Sequence, residues 1–126
     1  MDPSHIALFD LAEQRLAWSE RRTEVLAQNI ANADTPRWRP RDLKPFAAAL
    51  LQPGVALAQT SPLHLAPPGG GDPAVTQAPR GEQAPDGNAV SVEAELVKLA
   101  ETDTGHALVT DLYKKYLGMF RTALGR

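Results

Sequence analysis

The 126-residue chain contains no cysteine. That excludes disulfides, thiolate metal sites and cysteine nucleophiles, and it suits a reducing or an oxidising compartment equally. Aromatic residues make up only 6% of the chain, and many of its 11 prolines and 9 glycines gather in a central stretch. The part able to build a core is therefore shorter than the chain itself. The formal net charge of −2 offers no global field to draw nucleic acid or an anionic membrane. No run approaches the ~18 apolar residues of a membrane span. The opening Met1-Asp2-Pro3-Ser4-His5 has no basic region followed by a continuous apolar one, so no cleaved secretory signal is expected.

Catalytic patterns are lacking too. His5, His64 and His106 have no second ligand at a recurring zinc spacing. Gly69-Gly70-Gly71-Asp72 lacks the Lys-Ser/Thr and the strand-to-helix setting of a phosphate loop. Glu93 and Glu95 stand two apart, so on a helix they do not face each other. No serine sits in a nucleophile elbow. The expectation is a protein without catalytic residues, metal or cofactor.

What is present is helical periodicity at both ends. Phe9, Ala12, Leu16, Ser19, Thr23, Leu26, Ile30 and Ala33 alternate by threes and fours, the spacing of a coiled-coil-like seam. Leu8, Leu11, Trp18 and Val25 widen it. This predicts a helix from about Ser4 to Ala33, roughly 45 Å long, with Asp2 as cap and Pro3 in the first turn. Pro36 ends it by turning Thr35 away from helical geometry. A basic stretch follows with Arg37, Arg39, Arg41 and Lys44 around Trp38, then a short helix over residues 43–51.

Residues 52–87 read as a mobile Pro/Gly-rich connector, with short extended pieces near Val55–Leu57 and Ala74–Thr76. The second long helix is expected from about Val90 to Leu124. Asn88 or Ser91 caps it, and Glu93 and Glu95 suit its positive end. Its broad apolar face holds Leu112, Tyr113, Tyr116, Leu117, Phe120 and Leu124. Gly105 interrupts the pattern, marking a kink or a close helix contact. The fold class is all-α, with the terminal helices paired antiparallel and a mostly irregular middle of at most minor β content. Four segments result, residues 1–36, 37–51, 52–87 and 88–126, with the terminal helices forming one core. Two helices alone do not enclose a core, so each keeps an uncovered apolar flank for a partner.

The run Asn29-Ile30-Ala31-Asn32-Ala33-Asp34-Thr35-Pro36 closely resembles the N-terminal signature of the bacterial flagellar axial proteins, in its proximal-rod form. Arg22, Arg41-Asp42, Ser61-Pro62-Leu63-His64-Leu65 and Asp86-Gly87-Asn88-Ala89-Val90 with Glu93 and Glu95 are similar to other motifs of that family. The family usually has Gly then Tyr after the proline, where Arg37 and Trp38 stand here. A Tyr is common where His106 stands, and Gly105 before it is unusual.

The resemblance implies a non-enzymatic subunit of a hollow periplasmic rod. Its helices, through Phe9, Leu16, Leu26, Ile30 and the α-helical face around Tyr113, would pack against neighbouring subunits. Arg22, Arg37, Arg39, Arg41 and Asp42 are candidate polar contacts between subunits. Implied partners are further copies of the chain itself, FlgC and neighbouring rod proteins, the adaptor FliE, the MS ring and the export gate. Export would run through the flagellar type III apparatus. Two alternatives stay open at this point: another axial protein such as FlgC, and a small regulatory or nucleic-acid-binding protein using the basic patch from Arg37 to Lys44.

Overall fold

A computed structural model describes residues 7–51, 75–79 and 82–125. The expected Asp2 cap, Pro3, His5, His64, the extended piece near Val55–Leu57, the motif Ser61–Leu65 and the glycines 69–71 lie outside the described residues. Five elements follow in order: helix α1 (Ala7–Ala31), strand β1 (Arg41–Leu43), helix α2 (Phe46–Leu50), strand β2 (Val75–Gln77) and helix α3 (Val92–Ala123).

The two long helices pair antiparallel, as the seam predicts. Phe9, near the start of α1, packs edge-on against Tyr113 with ring centroids 5.0 Å apart, and against Phe120 at 5.8 Å. At the opposite end Asn29 of α1 meets Glu95 in the first turn of α3. Between these ends Phe9, Ser19 and Leu26 are buried, while Ala12, Leu16, Thr23 and Ile30 are half-buried. Small and polar seam residues keep the pair close without filling a wide core.

The start of α3 uses the cap the sequence offers. Ser91 is extended, and its hydroxyl accepts from the Ala94 N–H. The helix then runs through Gly105 without interruption. A methyl group there would lie 3.9 Å from Arg15 Nη2, an ordinary contact. Gly105 therefore marks neither a break in the helix nor a backbone approach that requires glycine. At the far end Gly125 takes a positive φ of 71°, a common helix stop.

The basic stretch differs from the sequence expectation. Arg41–Leu43 forms a strand, which the sequence reading did not foresee, and α2 begins only at Phe46. Pro45 turns Lys44 away from helical geometry and stands as the N-cap of α2, so no helix can start at residue 43, and β2 supplies a partner for the strand. The pairing is antiparallel, with Arg41 opposite Gln77, Asp42 opposite Thr76 and Leu43 opposite Val75. Leu43 is buried beneath α1 together with Val25. This small ribbon covers one flank of the helix pair near the end of α1. Leu8, Leu11 and Leu112 on the other flank are exposed.

Candidate functional site: an anchored turn and an open apolar face

The turn after α1 is built from carbonyl groups that the helix leaves without partners. The Asn32 N–H still reaches Gln28 and Asn29, and Ala33 closes a tighter turn onto Ile30. Pro36 cannot extend this series. The freed carbonyls are taken by a residue far along the chain. Asn88 Nδ2 donates to Ala33 O and Thr35 O, both at 2.7 Å, and shares a weaker contact with Asn32 O at 3.1 Å. Asn88 is almost fully buried. Its own Oδ1 accepts from the Val90 N–H, while its N–H donates to Asp86 Oδ1. One side chain thus caps α1 and fixes the approach to α3.

The same two segments also bond through their backbones. The Arg37 N–H donates to Asp86 O, and the Ala89 N–H donates to Trp38 O. Arg37 takes a φ of 61°, the left-handed region that favours glycine. The arginine therefore keeps the glycine-type turn and bears its strain. Its Cγ lies where a side chain on Gly87 would go, at 3.0 Å from a Cβ built there, and Gly87 itself has φ 84°. Trp38 is half-buried beneath the Arg41 guanidinium, 5.4 Å from the ring centroid. Its indole N–H is buried and finds no acceptor among the described residues.

Asn29 is the second anchor. It is wholly buried. Its Oδ1 accepts from the Arg41 N–H at 2.9 Å, and its Nδ2 donates to Arg41 O at 2.6 Å and to Glu95 Oε2 at 2.8 Å. Glu95 is buried as well, and its other oxygen pairs with Lys98 Nζ at 2.8 Å. A buried carboxylate is tolerated only when its acceptors are filled in this way.

Two turns earlier on α1, Arg22 grips Asp42 with two parallel hydrogen bonds of 2.9 and 3.0 Å, and Nη1 reaches Thr102 Oγ1 at 3.3 Å. Burial pushes the Asp42 carboxyl up. The hydrogen bond and charge of Arg22, with the Leu43 N–H, outweigh that and hold it below the usual range. The Asp42 hydrogen bond in turn raises Arg22 against its own burial. Trp18 closes the series by donating to Lys44 O at 2.9 Å.

The signature residues thus divide. Asn29 is at the centre of the network, Ile30, Asn32 and Ala33 are half-buried in the turn, and Ala31, Asp34, Thr35 and Pro36 are exposed. Among the expected packing residues, Phe9 and Leu26 are buried inside the pair. Leu16, Ile30, Tyr113, Leu117 and Phe120 are half-buried, and Leu112, Tyr116 and Leu124 are exposed. Of the polar candidates, Arg22 and Asp42 satisfy each other within the chain, and Arg41 bonds Gln28 and stacks on Trp38. Arg37 and Arg39 are exposed. The sequence reading missed the roles of Asn88 and Glu95 in this network. The sequence marked them as a cap candidate and a first-turn acid of the second helix and as members of one motif, but not as partners of the turn after α1.

A match to the family described as "Flagella basal body rod protein" covers residues 9–39, which hold α1 from Phe9 onward and the turn after it. The chain is 32% identical to the flagellar basal body rod protein FlgB of Agrobacterium fabrum over 132 aligned positions, spanning 96% of this chain and 95% of that one. The chain belongs to the FlgB family. It is also 33% identical to the FlgB of Salmonella typhimurium, over 90% of both chains. With the FlgB of Aeromonas hydrophila the identity is 40% over 69% of each chain. In this member of the family, Asn29, Asn88 and the Arg22–Asp42 pair supply the internal ties. Among the described residues no helix is long and apolar enough to cross a membrane, and no group of three or more potential metal ligands occurs.

Proposed function

We propose that this chain is a non-enzymatic structural subunit of the proximal rod of the flagellar basal body, joining its neighbours through α1 and α3. One observation carries the reading. The paired helices leave large apolar side chains in solvent, among them Leu8, Leu11, Leu96, Leu108, Leu112 and Met119. Scattered apolar residues need no partner, but a contiguous apolar face does. Membership of a family whose characterised members are named as basal body rod proteins supports the same reading.

Burial at about 25 cal/mol per Å² over several helix contacts outweighs the freedom lost on assembly. Packed this way, the helices form the wall of a hollow shaft that transmits torque and leaves an axial channel. The neighbours are FlgC and other rod proteins, the adaptor FliE, the MS ring and the export gate. The subunit reaches the periplasm through the flagellar type III apparatus. It takes no cofactor and does not insert into a membrane. A nucleic-acid role is disfavoured because, within the basic patch, Arg41 already bonds Gln28 and stacks on Trp38. The test is deletion of the coding sequence in the native bacterium followed by imaging of basal bodies. Loss of rods and motility is expected. Intact rods in the deletion strain overturn the reading.

A further inference from the structure

Among the described residues two apolar surfaces are left over, at different places along the helix pair. The first is a groove of about 230 Å³ between the start of α1 and the last third of α3, lined by Leu8, Leu11, Leu112, Tyr116 and Phe46. Arg15 closes it. Its guanidinium lies 4.4 Å from the Trp18 ring centroid and 5.0 Å from that of Phe46. Among the described residues no carboxylate pairs with it. Lys115, three residues on from Leu112, borders the same face. The groove is therefore apolar with a positive margin.

The second surface is the first third of α3. Leu96 and Val97 are 50% and 59% exposed. Glu93 and Glu101 stand four residues to either side of Val97, so they share its stripe. This surface is apolar with a negative margin. The two lie about 22 Å apart along α3 from Val97 to Leu112 at the usual helical rise. One subunit is thus long enough to offer both at once.

We propose, resting on the rod-subunit reading, that the groove receives the first third of α3 from a second copy of this chain. Leu96 and Val97 of that copy seat against Leu11 and Leu112, and its Glu101 pairs with Arg15. Charge decides between this and a two-fold pairing. Groove against groove brings Arg15 towards Arg15 and Lys115 towards Lys115, whereas groove against stripe opposes unlike charges. A contact between two different surfaces is head-to-tail, and it extends along a series of copies instead of closing on a pair.

The absence of cysteine makes the test direct. Full-length Leu96→Cys and Leu112→Cys proteins are mixed and mildly oxidised. The expected product is the mixed disulfide, in about tenfold excess over either self-linked dimer when unlike charges steer the pairing. No cross-link, or self-linked dimers at equal or greater yield, overturns the proposal. Glu101 is exposed but also faces Arg22 of its own chain; in a Glu101→Arg variant of normal helicity, self-association in sedimentation is expected to weaken about tenfold, and adding Arg15→Glu is expected to restore it. Failure of that rescue in a double variant of normal helicity also overturns it. In cells, normal rods in a Glu101→Arg strain, where the deletion strain has none, reject this contact and leave the rod reading standing. Normal rods in the deletion strain reject the rod reading itself.

Discussion

Asn29 holds Arg41 by both of its backbone polar groups, accepting from its N–H at 2.9 Å and donating to its carbonyl at 2.6 Å. The carboxamide has the shape of a peptide unit, so it acts as a one-residue strand beside β1, on the edge away from β2. It also donates to Glu95. A single side chain of α1 therefore ties together β1 and the start of α3.

Asn29→Ala removes three hydrogen bonds and leaves the Arg41 N–H, the Arg41 carbonyl and Glu95 Oε2 without the Asn29 partner. A loss of about 3 kcal/mol is expected, since each buried polar group left without a partner costs about 1–3 kcal/mol. Asn29→Asp is expected to do worse, because it sets a carboxylate against Glu95 and against Arg41 O. Urea denaturation of the purified chain checks both. A midpoint unchanged in Asn29→Ala contradicts the role given to this residue.

Arg37 and Gly87 form a pair with opposite expectations. A non-glycine residue in the left-handed region bears about 1–2 kcal/mol of strain, so Arg37→Gly is expected to stabilise the native turn, less the greater freedom of an unfolded glycine. The net gain should be below about 1 kcal/mol. Gly87→Ala adds a methyl at φ 84° with a Cβ 3.0 Å from Arg37 Cγ, and destabilisation by about 1–2 kcal/mol is expected. Thermal melts of the two single variants and of the double variant reveal the contact. If Gly87→Ala costs as much in the Arg37→Gly background as in the parent chain, the side chains do not interact.

The Arg22–Asp42 pair carries a pH dependence. The folded Asp42 carboxyl titrates below its unfolded value. The stability it contributes is therefore fully present above the ordinary Asp value of about 3.9. It is lost as the pH falls through the depressed folded value. Acid titration of stability in Asp42→Asn should show a shallower fall below about pH 4 than in the parent chain. Equal slopes contradict the assignment.

Gly105 occupies the middle of a continuous helix, and a methyl there meets nothing closer than 3.9 Å. Gly105→Ala is expected to stabilise the chain by about 1 kcal/mol, the difference in helix propensity. A melting temperature that falls in this variant argues that assembly partners, or residues beyond those described, use the space.

Periodicity alone was enough to find both long helices, because a 3-4 alternation of apolar residues states which face must be covered and needs no distant contact to be read. The stop at Pro36 and the cap at Ser91 were equally local, arising from a missing N–H and from a hydroxyl within reach of the next turn. The shortage of core followed from length and composition. Strand β1 was hidden because three residues have no period, and its stability comes from β2 and from Asn29, both distant in sequence.

The apolar flanks left uncovered were foreseen from the count of helices. Which residues line them was not, because the rotation of each helix is set by contacts such as Phe9 on Tyr113 and Asn29 on Glu95. The sequence by itself determined two amphipathic helices and the turn that ends the first. Only the tertiary structure decided that Asn88 caps that turn, that Arg37 accepts a glycine's backbone angle, and that Arg22 and Asp42 satisfy each other. Those outcomes depend on groups 20 to 56 residues apart meeting in space, and local propensity contains no term for such meetings.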